Sequence, residues 1–300
     1  GASLEQELAQ GGVFAKIVNG TSSKVAAIFT GHTHKEYAWD GKVPGSATDK
    51  RPVLQTGSYG DNVGQSVLTI DRGTKKVVSY TTRNVPRSTA AEADLVAEFP
   101  RVAQVKQIVD AALAEADVKG AVKVGSLGAA VTTAHVGGSY GADGYGGSSA
   151  KRDDRKNQST MGNLVADSLL DALKDPRVGG AQIGITNPGG LRAELGKGDV
   201  TFAQANAVLP FANNLWTSTV TGAQLKEALE QQWQRTEAGA VPSTPFLALG
   251  LSKNVRYTFD STRAEGDRIT AIRVDGKLVK ASDSFRIGAP SFLIEGGDNF

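Results

Sequence analysis

The sequence contains no cysteine in its 300 residues. Disulfides, thiolate metal sites and cysteine nucleophiles are therefore excluded together, leaving His, Asp, Glu and Asn as possible metal ligands. Histidine is almost as scarce. His32, His34 and His135 make up the full set of three, so imidazole chemistry is confined to those positions. No apolar run approaches the roughly 18 residues that span a bilayer, because glycine or charge interrupts each candidate. Charge of one sign is lacking too: 33 basic and 31 acidic residues leave a net charge of +2, which offers no electrostatic footprint for a nucleic-acid polymer. The start, Gly1-Ala2-Ser3-Leu4-Glu5-Gln6-Glu7, has neither the basic nor the apolar region of a signal peptide, and Gly-Ala-Ser reads as a tag remnant or cut point.

What is present is ordinary for a soluble globular chain, with 40% hydrophobic and 21% charged residues. The length favours two domains over one. Residues 1–86 read mostly as strand. Val25–Thr30 is a short apolar run ended by Gly31, and Ser66–Asp71 alternates with period two. Lys76–Thr81 is expected to pair with the latter across Arg72–Lys75, giving a hairpin. Leu95, Phe99, Val102, Val105, Val109 and Leu113 recur at spacings of three and four, which predicts a helix over 90–118. Pro100 should kink that helix or mark its true first turn. The flanking shifts in composition make this segment an inter-domain connector.

Beyond Val122 strands and helices alternate, so the expected fold class is α+β or mixed α/β. Val122–Leu127 is a strand, and the glycine-rich run Gly137–Gly147 reads as a flexible loop. Ser159 or Thr160 should cap a helix whose Met161, Leu164, Val165, Leu169 and Leu173 share one face, stopped by Pro176. Gln182–Thr186 is a strand. Thr221–Gln224 is a candidate capping box ahead of Leu225, Ala228, Leu229 and Trp233. Asn254–Phe259 and Ile269–Val274 both alternate as strands.

Four segments carry chemistry. Gly31-His32-Thr33-His34 follows an apolar strand and presents both imidazoles at its end. In an extended turn they point in opposite directions, which suits ligation of two different metals, although a His-x-His loop also occurs simply solvated or hydrogen-bonded. His135, beside the glycine-rich run, has no carboxylate near it in sequence and reads as structural. Asn187-Pro188-Gly189-Gly190-Leu191-Arg192 offers an amide, a bare backbone and a guanidinium able to hold phosphate or carboxylate, a combination also common on plain surfaces. Val208-Leu209-Pro210-Phe211-Ala212-Asn213 and Phe292-Leu293-Ile294-Glu295-Gly296-Gly297-Asp298, the latter at the end of a strand-like run, supply two phenylalanines that either sandwich a planar ring or belong to the core. Asp298 has the chemistry to accept hydrogen bonds from ribose hydroxyls.

In this order, and with Ser159-Thr160-Met161-Gly162-Asn163-Leu164-Val165-Ala166-Asp167, the motifs resemble the bifunctional metallophosphatase and 5′-nucleotidase family. The resemblance implies the tail of a metallophosphatase β-sandwich at 1–86, a linker helix at 87–119 and an α/β nucleotide-specificity domain at 120–300. It implies that His32 and His34 each ligate one of two divalent metals, of which Zn, Mn, Mg and Ca are the candidates. Arg155 and Arg192 would hold the phosphate side, Phe211 and Phe292 would stack the base, and Asn187 and Asn213 would contact ribose or base beside Gly189 and Gly190. Asp298 would take the ribose hydroxyls. The family's metal site needs further Asp, Asn and His ligands than three histidines allow, so the chain is expected to be the C-terminal part of a longer enzyme.

The activity implied is hydrolysis of nucleoside 5′-monophosphates, with 2′,3′-cyclic nucleotides as further candidate substrates, in an extracellular, periplasmic or cell-wall setting. The partner is a nucleotide or nucleoside, with no nucleic-acid polymer and no membrane span. Two alternatives stand beside it: a nucleotide-binding fragment without catalysis, and a metallophosphatase acting on sugar phosphates or nucleotide sugars.

Overall fold

The computed structural model describes residues 3–236, 239–242 and 244–300. Gly1 and Ala2, on which the tag-remnant reading falls, lie outside them. The backbone clusters into two units. One holds residues up to Lys106, and the other holds Gln107–Thr236 and Ala240–Phe300.

The first unit opens with two helices that the strand-rich reading of 1–86 does not anticipate, α1 (Leu4–Ala9) and α2 (Gly12–Gly20). Ser3 and Gln6 form a reciprocal capping box on α1, and glycines bound α2 on both sides. Of the run Val25–Thr30 only β1 (Ile28–Phe29) is strand; it pairs parallel with β3 (Lys50–Thr56), which pairs antiparallel with β2 (Glu36–Lys42). Val18, Ile28, Tyr37 and Val53 form the core here. Arg51, 1% exposed, donates to the carbonyls of Val18, Thr21, Ser22 and Val25 at 2.7–3.2 Å. One guanidinium thereby satisfies carbonyls at the end of α2 and in the chain that follows it.

The expected hairpin forms from β4 (Asn62–Ile70) and β5 (Val77–Pro86), with Ser66 opposite Thr82. The predicted 90–118 helix is two helices, α3 (Glu92–Glu98) and α4 (Pro100–Gly120). Phe99 is extended (φ −115°, ψ 103°) because the proline ring disfavours a helical residue before it, and Pro100 then opens α4. The apolar stripe of this segment is half-buried to exposed rather than core, with Val105 and Leu113 each 55% accessible. The division between the units falls within α4.

The first strand of the second unit is β6 (Lys123–Leu127), and the supposed flexible loop after it is ordered as two short ladders. β7 (His135–Val136) pairs with β10 (Lys151–Arg152), and β8 (Ser139–Gly141) with β9 (Gly144–Gly146). Its glycines supply the backbone freedom of the turns, while Tyr140 and Tyr145 pair across the ladder and the Tyr140 hydroxyl donates to Ala130 O at 2.5 Å. Next come α5 (Thr160–Leu173, capped by Ser159), β11 (Ile183–Thr186), β12 (Gly198–Thr201), α6 (Phe202–Val208), β13 (Leu215–Thr221) and α7 (Gly222–Glu230). β14 (Gly250–Leu251), β15 (Val255–Phe259), β16 (Ile269–Val274), β17 (Lys277–Leu278), β18 (Ser284–Pro290) and the single turn α8 (Ser291–Ile294) complete the chain.

The fold is mixed α/β. Its main sheet has the order β13-β18-β11-β14. α5 buries Met161, Val165, Leu169 and Leu173 as the spacing predicts, whereas Leu164 stays at the surface. It crosses β11 so closely that a Cβ on Gly184 would stand 1.9 Å from Ala166 O. Thr221 and Gln224 form the predicted capping box on α7, whose Leu225 and Leu229 join the core with Ile183, Ile185, Ile269 and Ile272. Phe292-Leu293-Ile294, read above as strand-like, is the helical turn α8; a short apolar run does not distinguish the two by periodicity.

Candidate functional site

β11 and β18 run parallel, with Ile183 opposite Ile287, so the segments following Thr186 and Pro290 leave the sheet at the same edge. β13 is antiparallel to β18 and begins there, with Leu215 opposite Pro290. Three loops therefore meet at one edge: Asn187–Arg192, Phe211–Asn214 and Ser291–Asn299. Ser291 N–H donates to Asn214 O at 2.8 Å and ties two of them together.

Asn187, 4% exposed, donates from Nδ2 to Asp298 Oδ2 at 2.7 Å. A Cβ on Gly189 would lie 3.2 Å from Asp298 Oδ2, 3.3 Å from Arg155 Nη1 and 3.5 Å from Asn187 Nδ2, while one on Gly190 would lie 3.0 Å from Asn187 Oδ1. The bare backbone of the two glycines is thus the floor onto which these side chains converge. Arg155 is paired with Asp153 (Nη2 to Oδ2 3.0 Å), which raises the guanidinium's pKa against the pull of partial burial; Asp298 adds a smaller effect of the same sign. Asp153 and Asp298 flank a permanently charged Arg155, which suits the recognition of both anionic and hydroxyl groups.

Arg192 lies over the Phe211 ring, 5.7 Å from its centroid, and donates from Nη1 to Gly189 O at 3.3 Å. Phe211 is 57% exposed and Phe292 37% exposed, and no ring contact joins them among the described residues. Phe292 packs on Gly297, where a Cβ would stand 2.4 Å from its Cε1. Neither ring belongs to a buried cluster. Asn213 is exposed in the loop before β13.

His32 and His34 lie in the first unit, both exposed. Their φ angles are 71° and 57°, so both histidines are left-handed and the segment is not the extended turn expected from spacing. Thr33 anchors it by donating to Gln55 Oε1 at 3.0 Å, and His34 meets the Tyr59 ring edge-on at 6.0 Å. No group of three or more metal-holding side chains exists among the described residues, so they do not build a complete metal centre. His135 is structural in its surroundings: its ring stacks on Tyr145 at 4.1 Å and its Nε2 lies 3.7 Å from Glu194.

The motifs leave Asp153 and Arg152 unmarked. The first orients Arg155, and the second donates to Arg192 O at 3.0 Å. The run Lys151-Arg152-Asp153-Asp154-Arg155, dense in both signs after a glycine-rich stretch, was the available signal. Gln234 and Asn299 were unmarked as well; Asn299 Nδ2 donates to Gln234 Oε1 at 3.0 Å beside Asp298. Asp153, Ala212, Asp298 and Asn299 are four of nine non-glycine residues with positive φ among those described, a concentration of unusual backbone at this edge.

The sequence model of one family, described as the 5′-nucleotidase C-terminal domain, matches residues 130–300. A trifunctional nucleotide phosphoesterase protein of Bacillus subtilis is 34% identical over 151 residues, which is 49% of this chain and 10% of that protein. A cell wall protein of Listeria monocytogenes is 29% identical over 152 residues, 48% of this chain and 18% of that one. The chain thus spans less than a fifth of the length of either relative. A Staphylococcus aureus structure assigned as a 5′-nucleotidase and solved with α-ketoglutarate superposes with a TM-score of 0.57 at 20% identity, over 95% of this chain and 50% of that one, a likeness of fold.

Proposed function

Because the chain belongs to the family of 5′-nucleotidase C-terminal domains, we propose that its second unit holds the nucleoside part of a nucleotide for hydrolysis of a phosphate ester, with nucleoside 5′-monophosphates as substrates and 2′,3′-cyclic nucleotides as further ones. The observation that carries this reading is the convergence of Asn187, Asp298 and Arg155 over Gly189, at an edge where Phe211 and Phe292 stand exposed. Asp298 accepts from the ribose hydroxyls, Asn187 holds that carboxylate in place, and Arg155 and Arg192 attract the phosphate side. Arg192 also covers part of Phe211, so the base enters against the remaining ring surface and Phe292. Asn213 sits in the loop carrying Phe211, within the same proposed site.

On this reading 1–86 is the tail of a metallophosphatase domain, 87–119 a linker helix and 120–300 the specificity domain. His32 and His34 are two ligands of a divalent-metal centre that the described residues do not complete, and the chain alone binds rather than turns over nucleotide. The cell-wall relative supports an extracellular, periplasmic or cell-wall setting.

The test is adenosine titration beside thermal melting for Phe211→Ala and Phe292→Ala. Base stacking on an aromatic is worth about 1–3 kcal/mol, so each change should weaken adenosine binding about 5- to 150-fold. The exposure of both rings predicts melting close to wild type. Unchanged affinity with a collapsed melting temperature would make both rings packing residues.

A further inference from the structure

On the second unit, a pocket of about 490 Å³ opens between the segment before α5 and the strands β14 and β15. It shares no residue with the nucleoside site. Its volume lies within the range of small-molecule sites. The floor is apolar, with buried Leu249 and Leu251, and the wall is aromatic, with Phe246, Tyr257 and Phe259. That wall is braced from behind: Trp233 meets Phe246 edge-on at 4.9 Å and Phe259 at 5.4 Å, and Arg268 lies over Trp233, 5.1 Å from its ring centroid. Phe259 nonetheless remains 51% exposed, so an aromatic surface is packed from one side without being covered.

The polar side of the pocket has one sign of charge. Lys156, Lys253 and Arg256 line it, and no Asp or Glu does among the described residues. Arg256 comes from β15, Lys253 from the turn before that strand and Lys156 from the segment before α5. Asp171 lies within electrostatic reach of Lys253, and the Lys253 N–H donates to Asp167 Oδ1 at 2.8 Å, but neither carboxylate lines the pocket. The chain as a whole is nearly neutral at +2, so this local excess does not follow from composition.

We propose that this pocket is a second ligand site, taking a small organic anion with an aromatic body: the ring lies against Phe246 and Phe259, and the anionic group faces Lys156 and Lys253. The site is independent of the nucleotide reading, and its test keeps the two apart. Phenylacetate is titrated into the chain by calorimetry with the nucleoside site saturated by adenosine, and its neutral isostere 2-phenylacetamide is titrated in parallel. One saturable phenylacetate site should persist in the presence of adenosine and in Phe211→Ala. The amide should bind more weakly, and Lys156→Met and Lys253→Met should each cost about two- to fivefold in affinity, as expected for exposed charges. Both lysines are exposed, so the variants should melt as wild type does. Absence of saturable binding at millimolar phenylacetate, displacement by adenosine, equal affinity for the amide, or unaltered affinity in both lysine variants would each overturn the assignment.

Discussion

A Gly189→Ala substitution places a methyl group where three site side chains converge, and should separate binding from stability. The new Cβ would lie 3.2 Å from Asp298 Oδ2, 3.3 Å from Arg155 Nη1 and 3.5 Å from Asn187 Nδ2. All three are ends of side chains, and the two tighter ones need to yield by only a few tenths of an ångström. Gly189 is not at positive φ, so its backbone accepts alanine. Loss of unfolded-state freedom favours the variant by about 0.4–1 kcal/mol. Stability should therefore stay within about 1 kcal/mol of wild type. Binding should not, because the methyl fills the space through which a ligand oxygen reaches Asp298 and Arg155. One lost hydrogen bond to a charged group costs about 1.5–3 kcal/mol, or about 10- to 150-fold in Kd. Gly184→Ala is the contrast: its Cβ would stand 1.9 Å from the backbone oxygen of Ala166, forcing α5 off β11 at a cost of about 3 kcal/mol or more. Adenosine calorimetry and scanning calorimetry on both variants decide the matter. An unchanged Kd for Gly189→Ala would refute a ligand approaching this loop, and a melting loss matching Gly184→Ala would make Gly189 a packing position.

Two further outcomes concern the first unit. Arg51→Met removes the donor to four carbonyls in a side chain 1% exposed, and should lower stability by about 3 kcal/mol or more in thermal melts; Arg51→Lys should recover only part, and a wild-type melt for the methionine variant would deny the role. Asp71 accepts from Thr74 N–H and then from its hydroxyl, which lowers the carboxyl's pKa below the ordinary aspartate value. Its contribution is present above that ordinary value and lost as pH falls through the lowered folded one, so Asp71→Asn should melt below wild type at neutral pH, with the gap closing below about pH 4; a gap persisting in acid would show that the ionised form is not what matters.

What was legible in the sequence was local. Ser159 and Thr221 cap their helices because a side-chain oxygen three residues from an orphan N–H is a local geometry. The β4–β5 hairpin follows period-two alternation on either side of a turn, and the same alternation marked β15 and β16 as strands but not as partners. α1 was equally local and passed unread, although Ser3 and Gln6 spell its capping box. The order in the glycine-rich stretch was hidden because glycine content reports freedom, whereas two tyrosines across a ladder and the ring of His135 restrict it. The positive φ of His32 and His34 was not read from the sequence, because even a residue type enriched there, as histidine is, adopts it only uncommonly. At the candidate site the members could be named by resemblance, but their contacts could not: Asn187 and Asp298 meet across 111 residues of chain.

Strand order explains why those contacts are non-local and limits how they can be examined. Beyond the carboxyl ends of parallel strands is where open α/β sheets bind ligands, and Asn187 and Ser291 directly follow β11 and β18. Yet β18, last in the chain among the strands, lies between β13 and β11 in the sheet. The loop carrying Phe292 and Asp298 is therefore spatially flanked by the other two, although it comes last in sequence. β18 also supplies Ala289 to the core and pairs with β13 along seven positions, from Leu215 opposite Pro290 to Thr221 opposite Ser284. Deleting the final strand and loop would remove the middle of the sheet along with the site, so loss of binding in such a truncation carries no information about Phe292. Only substitutions beyond Pro290, where the chain has left the ladder, separate the loop's chemistry from the sheet's integrity.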